Sequence, residues 1–259
     1  MFLQIGPMML YYPAKITVKE QMDGRDHIFI ADSHLREEDS EDFFAMLDRI
    51  RESRPAGVVF LGDIFELWIA LPGYETAMHQ RFLDWCREAK KEFEVGFILG
   101  NHEFYVIRRH ADAFSWITET EHTLAGGVRC IHGDLINRAD WRYLLLRKFL
   151  RSGFTRTFLQ ITCRNLGPAI ADYVLHTLKK TNREHKRRLP LTALAEYAKA
   201  AKAEKISRIF AGHFHQHHLA DDQDGIPLEI LPAWDAAGEI VRLTPGLQSE
   251  CAPWRQILG

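Results

Sequence analysis

Five short apolar runs in this 259-residue chain each break off at a polar motif, and that repeated boundary constrains the fold more than any other feature. Residues 27–31 lead into Asp32-Ser33-His34, and residues 57–61 into Gly62-Asp63. Residues 95–99 lead into Gly100-Asn101-His102-Glu103, and residues 128–131 into His132-Gly133-Asp134. Residues 208–211 lead into Gly212-His213-Phe214-His215. Short apolar runs closed by glycine and polar residues read as buried strands. Between them, Phe43, Leu47 and Ile50 fall on one helical face, after a cap expected at Ser40. Met78, Phe82 and Trp85 mark a second amphipathic helix. Strands alternating with helices predict an α/β layered fold. In such folds ligands gather where the strands end.

Bulk properties remove some classes of function. The net charge of −2 argues against a surface coated for nucleic acid, so no nucleic-acid partner is expected. The four cysteines, Cys86, Cys130, Cys163 and Cys251, form no C-x-x-C pair. That spacing points to neither a zinc ribbon nor a disulfide framework, and it fits a reducing compartment. No apolar run reaches transmembrane length. Residues 1–12 lack the basic start and cleavage site of a signal peptide. A cytoplasmic protein is expected, with residues 1–22 as an extension of unassigned role and residues 23–259 as one domain.

The segment from Arg138 to Arg188 differs from the rest. It holds 13 Lys or Arg against three acids, Asp140, Asp172 and Glu184, which leaves −12 for the remainder. Leu146, Phe149 and Leu150 recur there at helical spacing. A helical cap inserted over the sheet is expected at about 138–203. Two more strands are expected between Leu228 and Leu243.

The chemistry lies in the five polar motifs. Carboxylate oxygens and neutral imidazoles suit Mn²⁺, Fe²⁺ or Zn²⁺, and the lack of thiolates disfavours a structural zinc site. In Asp32-x-His34 and His213-x-His215 alternate residues share one side of an extended chain, so each pair can converge on a metal. Any one motif is weak. A lone histidine is more often a packed or surface residue, and the eight other histidines keep that reading. Five motifs in order, each behind a strand, are not explained by chance.

That ordered pattern, D-x-H, G-D, G-N-H-[DE], H and G-H-x-H, resembles the calcineurin-like metallophosphoesterases, over residues 27 to 243. The resemblance implies two mixed β-sheets in a sandwich flanked by helices, with two metal ions at the strand ends. By motif, Asp32, His34, Asp63 and His215 would hold the first ion. Asp63 would bridge to the second, held by Asn101, His132 and His213. A bridging hydroxide would attack phosphorus in line. His102 would donate a proton to the leaving oxygen or stabilise charge, which makes His102 and Asp63 the expected catalytic pair. Mn²⁺ is the expected ion.

The flanks narrow the resemblance. Gly62-Asp63-Ile64-Phe65-Glu66-Leu67-Trp68-Ile69 is similar to the G-D-L-F-E-x-W-I of the UDP-2,3-diacylglucosamine pyrophosphatases of lipid A synthesis. Asp140, Tyr143 and Arg147 follow His132-Gly133-Asp134 at that family's spacing. Leu231-Pro232-Ala233-Trp234 and Gly238 resemble its L-G-x-W segment and following glycine. The resemblance implies cleavage of UDP-2,3-diacylglucosamine to UMP and 2,3-diacylglucosamine 1-phosphate. The alternative is another nucleotide, diphosphate or lipid phosphate. Asp140, Tyr143, Arg147, Arg183 and Lys186 are the expected substrate-binding residues, with Lys179 and Lys180 adding charge. Leu145, Phe149, Phe158 and Leu166 could line acyl chains. The basic residues could also hold the protein to the inner face of an anionic membrane. The chain has His102 and Glu103 where the best-known members carry G-N-R-D.

Overall fold

The computed structural model describes residues 24–137, 141–161, 189–220 and 225–259. The expected extension 1–22, and Asp140, Cys163, Leu166, Lys179, Lys180, Arg183 and Lys186, lie outside the described residues.

The strands, in chain order, are β1 (His27–Ile30), β2 (Gly57–Phe60), β3 (Trp68–Ile69), β4 (Glu94–Ile98), β5 (Glu103–Phe104), β6 (Trp116–Thr118) and β7 (Glu121–Leu124). They continue with β8 (Val128–Ile131), β9 (Arg208–Ala211), β10 (His218–Ala220), β11 (Leu228–Ile230), β12 (Glu239–Leu243) and β13 (Ser249–Pro253). One sheet has the order β13-β12-β1-β2-β4-β6, and a second has the order β10-β11-β9-β8-β7. In the first, β1, β2, β4 and β6 run parallel, while β12 and β13 close one side antiparallel. In the second, β8, β9 and β11 run parallel between two antiparallel edges. Both sheets are therefore mixed, as expected.

Residue alternation explains the layers. Ile28, Ile30, Val58, Phe60 and Phe97 point to one face of the first sheet. There they pack on Phe43, Leu47 and Ile50 of α1 (Glu41–Ser53) and Phe82 and Trp85 of α2 (Ala77–Ala89). Their neighbours Phe29, Val59 and Ile98 face the other way, onto Val128, Cys130 and Phe210 of the second sheet. Successive side chains of a strand take opposite faces, so one apolar run can serve two cores. Phe29 and Phe210 stack at 4.3 Å between ring centres and join the sheets. The outer face of the second sheet, with Ile209 and Leu228, is covered by Leu194, Ala198 and Ala201 of the helix Leu191–Ala203. No helix among the described residues is long and apolar enough to cross a membrane.

Ser40 does not cap α1. A 3-10 turn, Glu37–Asp39, precedes the helix, so Ser40 is already helical (φ −83°, ψ −20°). Its hydroxyl turns back to donate to Glu37 O at 3.3 Å. The acidic Glu41 and Asp42 in the first turn complement the helix dipole instead.

Two very short strands, β3 and β5, fell below the reach of the sequence pattern. The parallel pair β3–β5 is two residues long and forms a small third sheet. Trp68 N donates to His102 O and Ala70 N to Phe104 O, both at 2.9 Å, which lays the segment after Asp63 beside the segment after Asn101. The helix α4 (Trp141–Leu150), within the expected cap, follows a third helix, α3 (Val106–His110), and buries its residues only in part. Trp141 and Leu145 of α4 are 63 % and 60 % exposed. A helical stretch at 153–161 continues from it.

Gly96 in β4 lies under Trp116 of β6, its parallel neighbour, and a Cβ there would overlap the indole ring. Gly96→Ala is expected to destabilise the fold by about 1–3 kcal/mol through overpacking. Urea denaturation would register this as a lower midpoint with an unchanged slope.

Candidate metal centre

Parallel strands send their carboxyl ends to one edge, and all five motifs stand there. The loops are stitched by backbone bonds. Asp32 N donates to Gly62 O and His34 N to Asp63 O, both at 3.0 Å. Gly62 is required where it stands. Its φ of 89° is left-handed, and a Cβ would come within 2.5 Å of Gly100 N and 2.6 Å of His132 Nδ1.

Beneath the loops lies a buried carboxylate, Glu103. It accepts from Asp63 N at 2.9 Å, Ile64 N at 2.8 Å and Gly100 N at 2.7 Å. Burial, then the charge on Asp63, push its carboxyl up to about 8, against three amide donors that favour the charged form. Asp63 moves the other way. Burial would raise it, but His102, His132, His34 and His213 around it hold it well below the usual carboxylate range.

Two groups of side chains result. Asp32, His34 and His215 each present a ligand atom within 4.8 Å of the others, and Asp63, His132 and His213 do the same. Asp63 also groups with His34 and His102. His34 Nε2 and His215 Nε2 are 3.1 Å apart, and His215 Nε2 is 3.5 Å from Asp32 Oδ1. Asn101 Oδ1 joins the second group, 3.2 Å from His132 Nε2 and 3.1 Å from His213 Nδ1. All seven expected ligands are thus brought together, with Asp63 between the two sets.

The donor chemistry fits cations. His132 donates Nδ1–H to Leu61 O at 2.7 Å, so a neutral ring turns a lone pair on Nε2 toward Asn101 Oδ1 and toward Asp63 Oδ2 at 3.6 Å. Asp63 Oδ2 is buried and accepts no hydrogen bond. Three electron-rich atoms facing one another would repel without a positive charge among them. Burial, then His132, lower His213 to about 3, which keeps it neutral as a metal ligand must be.

His102 is held differently. Its backbone N donates to Asp63 Oδ1 at 2.9 Å, and its Nδ1 lies 2.6 Å from Glu66 O. The ring edge-packs on His34, and Nε2 stands 3.8 Å from Asp63 Oδ2.

The backbone of the site is strained. Asp32 (φ 52°), His34 (43°), Asp63 (53°), His213 (74°) and His215 (55°) all adopt left-handed conformations. Such residues cost roughly 1–3 kcal/mol each and cluster at functional sites.

Of the expected substrate-binding residues, Tyr143 and Arg147 are described, and both are engaged by the metal-site loops. Tyr143 donates its hydroxyl to Asp134 Oδ2 at 2.5 Å, and Arg147 Nε donates to the same oxygen at 2.8 Å. Arg147 Nη2 also donates to Glu119 O at 3.0 Å. Burial would raise Asp134, but Arg147, His132, His213 and the Tyr143 hydroxyl together outweigh it and hold the carboxyl low. Burial, then Asp134, push the Tyr143 phenol well up. Asp134 and Glu103 were visible within their motifs, but neither carried an expected role. Both follow a recognised motif residue directly, and an acid in so buried a run was the signal.

Cavities among the described residues border the site. An apolar one of about 350 Å³ is lined by Ile69, Phe104, Phe149, Phe154, Phe158 and Leu159 among others, and so contains Phe149 and Phe158 but not Leu145. A polar one of about 280 Å³ runs along Ser33, His34, Arg36, Glu66, Trp234 and Asp235.

The calcineurin-like phosphoesterase family profile matches residues 28–217. UDP-2,3-diacylglucosamine hydrolase from Photobacterium profundum is 23 % identical over 232 residues, covering 84 % of this chain and 93 % of the relative. The enzyme of that name from Pseudomonas putida is 26 % identical, covering 82 % and 92 %. That from Klebsiella pneumoniae is also 26 % identical, covering 84 % and 95 %. A dimetal phosphatase from Danio rerio aligns with a TM-score of 0.42 at 14 % identity, covering 89 % of this chain and 99 % of that one. With its family profile matched from the first sheet to the last histidine motif, this chain belongs to the calcineurin-like phosphoesterases and is a metal-dependent phosphoesterase.

Proposed function

We propose that the chain cleaves the pyrophosphate of UDP-2,3-diacylglucosamine, giving UMP and 2,3-diacylglucosamine 1-phosphate. The observation that carries this reading is the apolar cavity. Phe104 in its wall is the residue after Glu103, so a place for hydrocarbon opens directly beside the loop of Asn101 and His102. Phe149, Phe154 and Phe158 are 55 %, 75 % and 53 % exposed, a cost in water that an acyl chain would offset. The names of the relatives, over more than four-fifths of this chain, support the same substrate.

The geometry supports a set of roles. Asp32, His34 and His215 would hold one ion, Asn101, His132 and His213 would hold the other, and Asp63 would offer its carboxylate to both. Mn²⁺ suits this oxygen-and-imidazole set. When bound, the two ions supply Lewis-acid activation of the phosphoryl group and of the attacking water. Leu61 O fixes the His132 tautomer, and Glu103 fixes Asp63 and Gly100 from below. His102, with Nδ1 held by Glu66 O, would turn Nε2 toward the departing oxygen and donate to it from the protonated ring. Exposed Trp141, Leu145 and Ile161, with Arg142 and Lys148 in the same segment, support contact with an anionic bilayer as the source of substrate.

Incubation of the protein with UDP-2,3-diacylglucosamine and Mn²⁺ is expected to release UMP, and a chelator is expected to abolish release. Turnover of simple diesters without UMP release would instead favour another nucleotide, diphosphate or lipid phosphate. Phe158→Ala is expected to raise KM for the lipid nucleotide about tenfold, the order expected for one lost apolar contact. The same variant should leave KM for bis(p-nitrophenyl) phosphate unchanged. Equal effects on both substrates would remove the acyl role.

A further inference from the structure

Arg151 follows the last residue of α4, and its side chain is only 9 % exposed. Its Nη2 donates to Gly100 O at 2.6 Å and to Glu103 O at 3.1 Å. Its Nη1 lies 3.3 Å from Glu119 Oε2, and its guanidinium stands 6.0 Å from the centre of the Phe104 ring. Gly100 and Glu103 are the first and last residues of the loop whose middle residues are Asn101 and His102. The Glu103 carboxylate holds this loop from inside through Gly100 N. Arg151 holds both of its ends from outside.

We propose that Arg151 is a positioning residue for the phosphoesterase centre. It clamps the two ends of the 100–103 loop and so sets where Asn101 Oδ1 and His102 Nε2 stand. The inference rests on the reading of Asn101 as a ligand and His102 as a proton donor. Arg151 acts only through backbone carbonyls at this loop. A planar guanidinium reaches two carbonyls and an acid at once, and an ammonium does not offer that fixed fork. The effect on rate follows from distance, since a displacement of about 1 Å at a reacting group can cost on the order of 10²-fold. Two loops thus answer to one helix: Arg147 grips the 132–134 loop through Asp134, and Arg151, one turn later, grips the 100–103 loop.

The test uses the full chain with Arg151→Ala, Arg151→Lys and Glu119→Gln. Bis(p-nitrophenyl) phosphate is the substrate, because it is too small to need the apolar cavity. Arg151→Ala is expected to lower kcat about 30-fold with KM within about twofold, the signature of misplaced groups rather than lost binding. Its Mn²⁺ affinity, titrated calorimetrically on metal-free protein, should weaken about tenfold, because Asn101 is no longer held. Added guanidinium ion should restore part of kcat. Arg151→Lys should recover part of it, and the surface variant Glu119→Gln should show a smaller loss in the same direction. A folded Arg151→Ala protein with wild-type kcat and Mn²⁺ affinity would overturn the proposal, as would a loss confined to the melting temperature. If Arg151→Ala does not fold, unchanged kcat and Mn²⁺ affinity in Glu119→Gln overturn it. A wild-type protein without Mn²⁺-dependent diesterase activity would instead refute the reading of the loop as a metal loop.

Discussion

The centre depends on one buried carboxylate that touches no substrate. Glu103 accepts three backbone N–H groups, from two loops that belong to different strands. Without it, those donors would be buried beneath the site with no acceptor, at a cost of about 1–3 kcal/mol each. With it, Asp63 and Gly100 are fixed relative to each other before any side chain is considered. His102 N then finds Asp63 Oδ1, and Gly62 can pass against Gly100 N with no Cβ between. The shared position of Asp63 between the two ligand groups follows from this arrangement.

The second constraint is electrostatic. His34, His102, His132, His213 and His215, with Asp32, lie around Asp63 and Asn101 in a largely buried space. His132 aims a lone pair inward because Leu61 O occupies its other nitrogen. The protein fold holds acceptors face to face, and a cation resolves the conflict. This is why the same residues look frustrated as an apoprotein and coherent as a metal site.

Much of this was legible in the sequence, for a physical reason. Strand runs such as 57–61 are apolar on both faces because two cores use them, and that continuous apolarity makes their ends visible. The ligand motifs sit at those ends, so their convergence follows from parallel strand direction. What stayed hidden has causes too. The pair β3–β5 is too short to show a period, and β6 and β7 carry half-buried residues such as Trp116 and His122 rather than an apolar run. Ser40 matched a cap by residue type, but the turn before it had already become helical. Tyr143 and Arg147 matched a family's spacing, and spacing alone does not say which partner a side chain finds. In the fold that partner is Asp134.

The left-handed ligands carry one more consequence. Glycine tolerates that conformation better than histidine does. Exchanging His34, His213 or His215 for glycine would relieve backbone strain while emptying the cage. The site therefore stores stability that the fold could recover only by giving up its chemistry. Selection of this protein for heat resistance alone would drift toward sturdy, inert chains, and a screen for thermostable variants has to read turnover alongside survival.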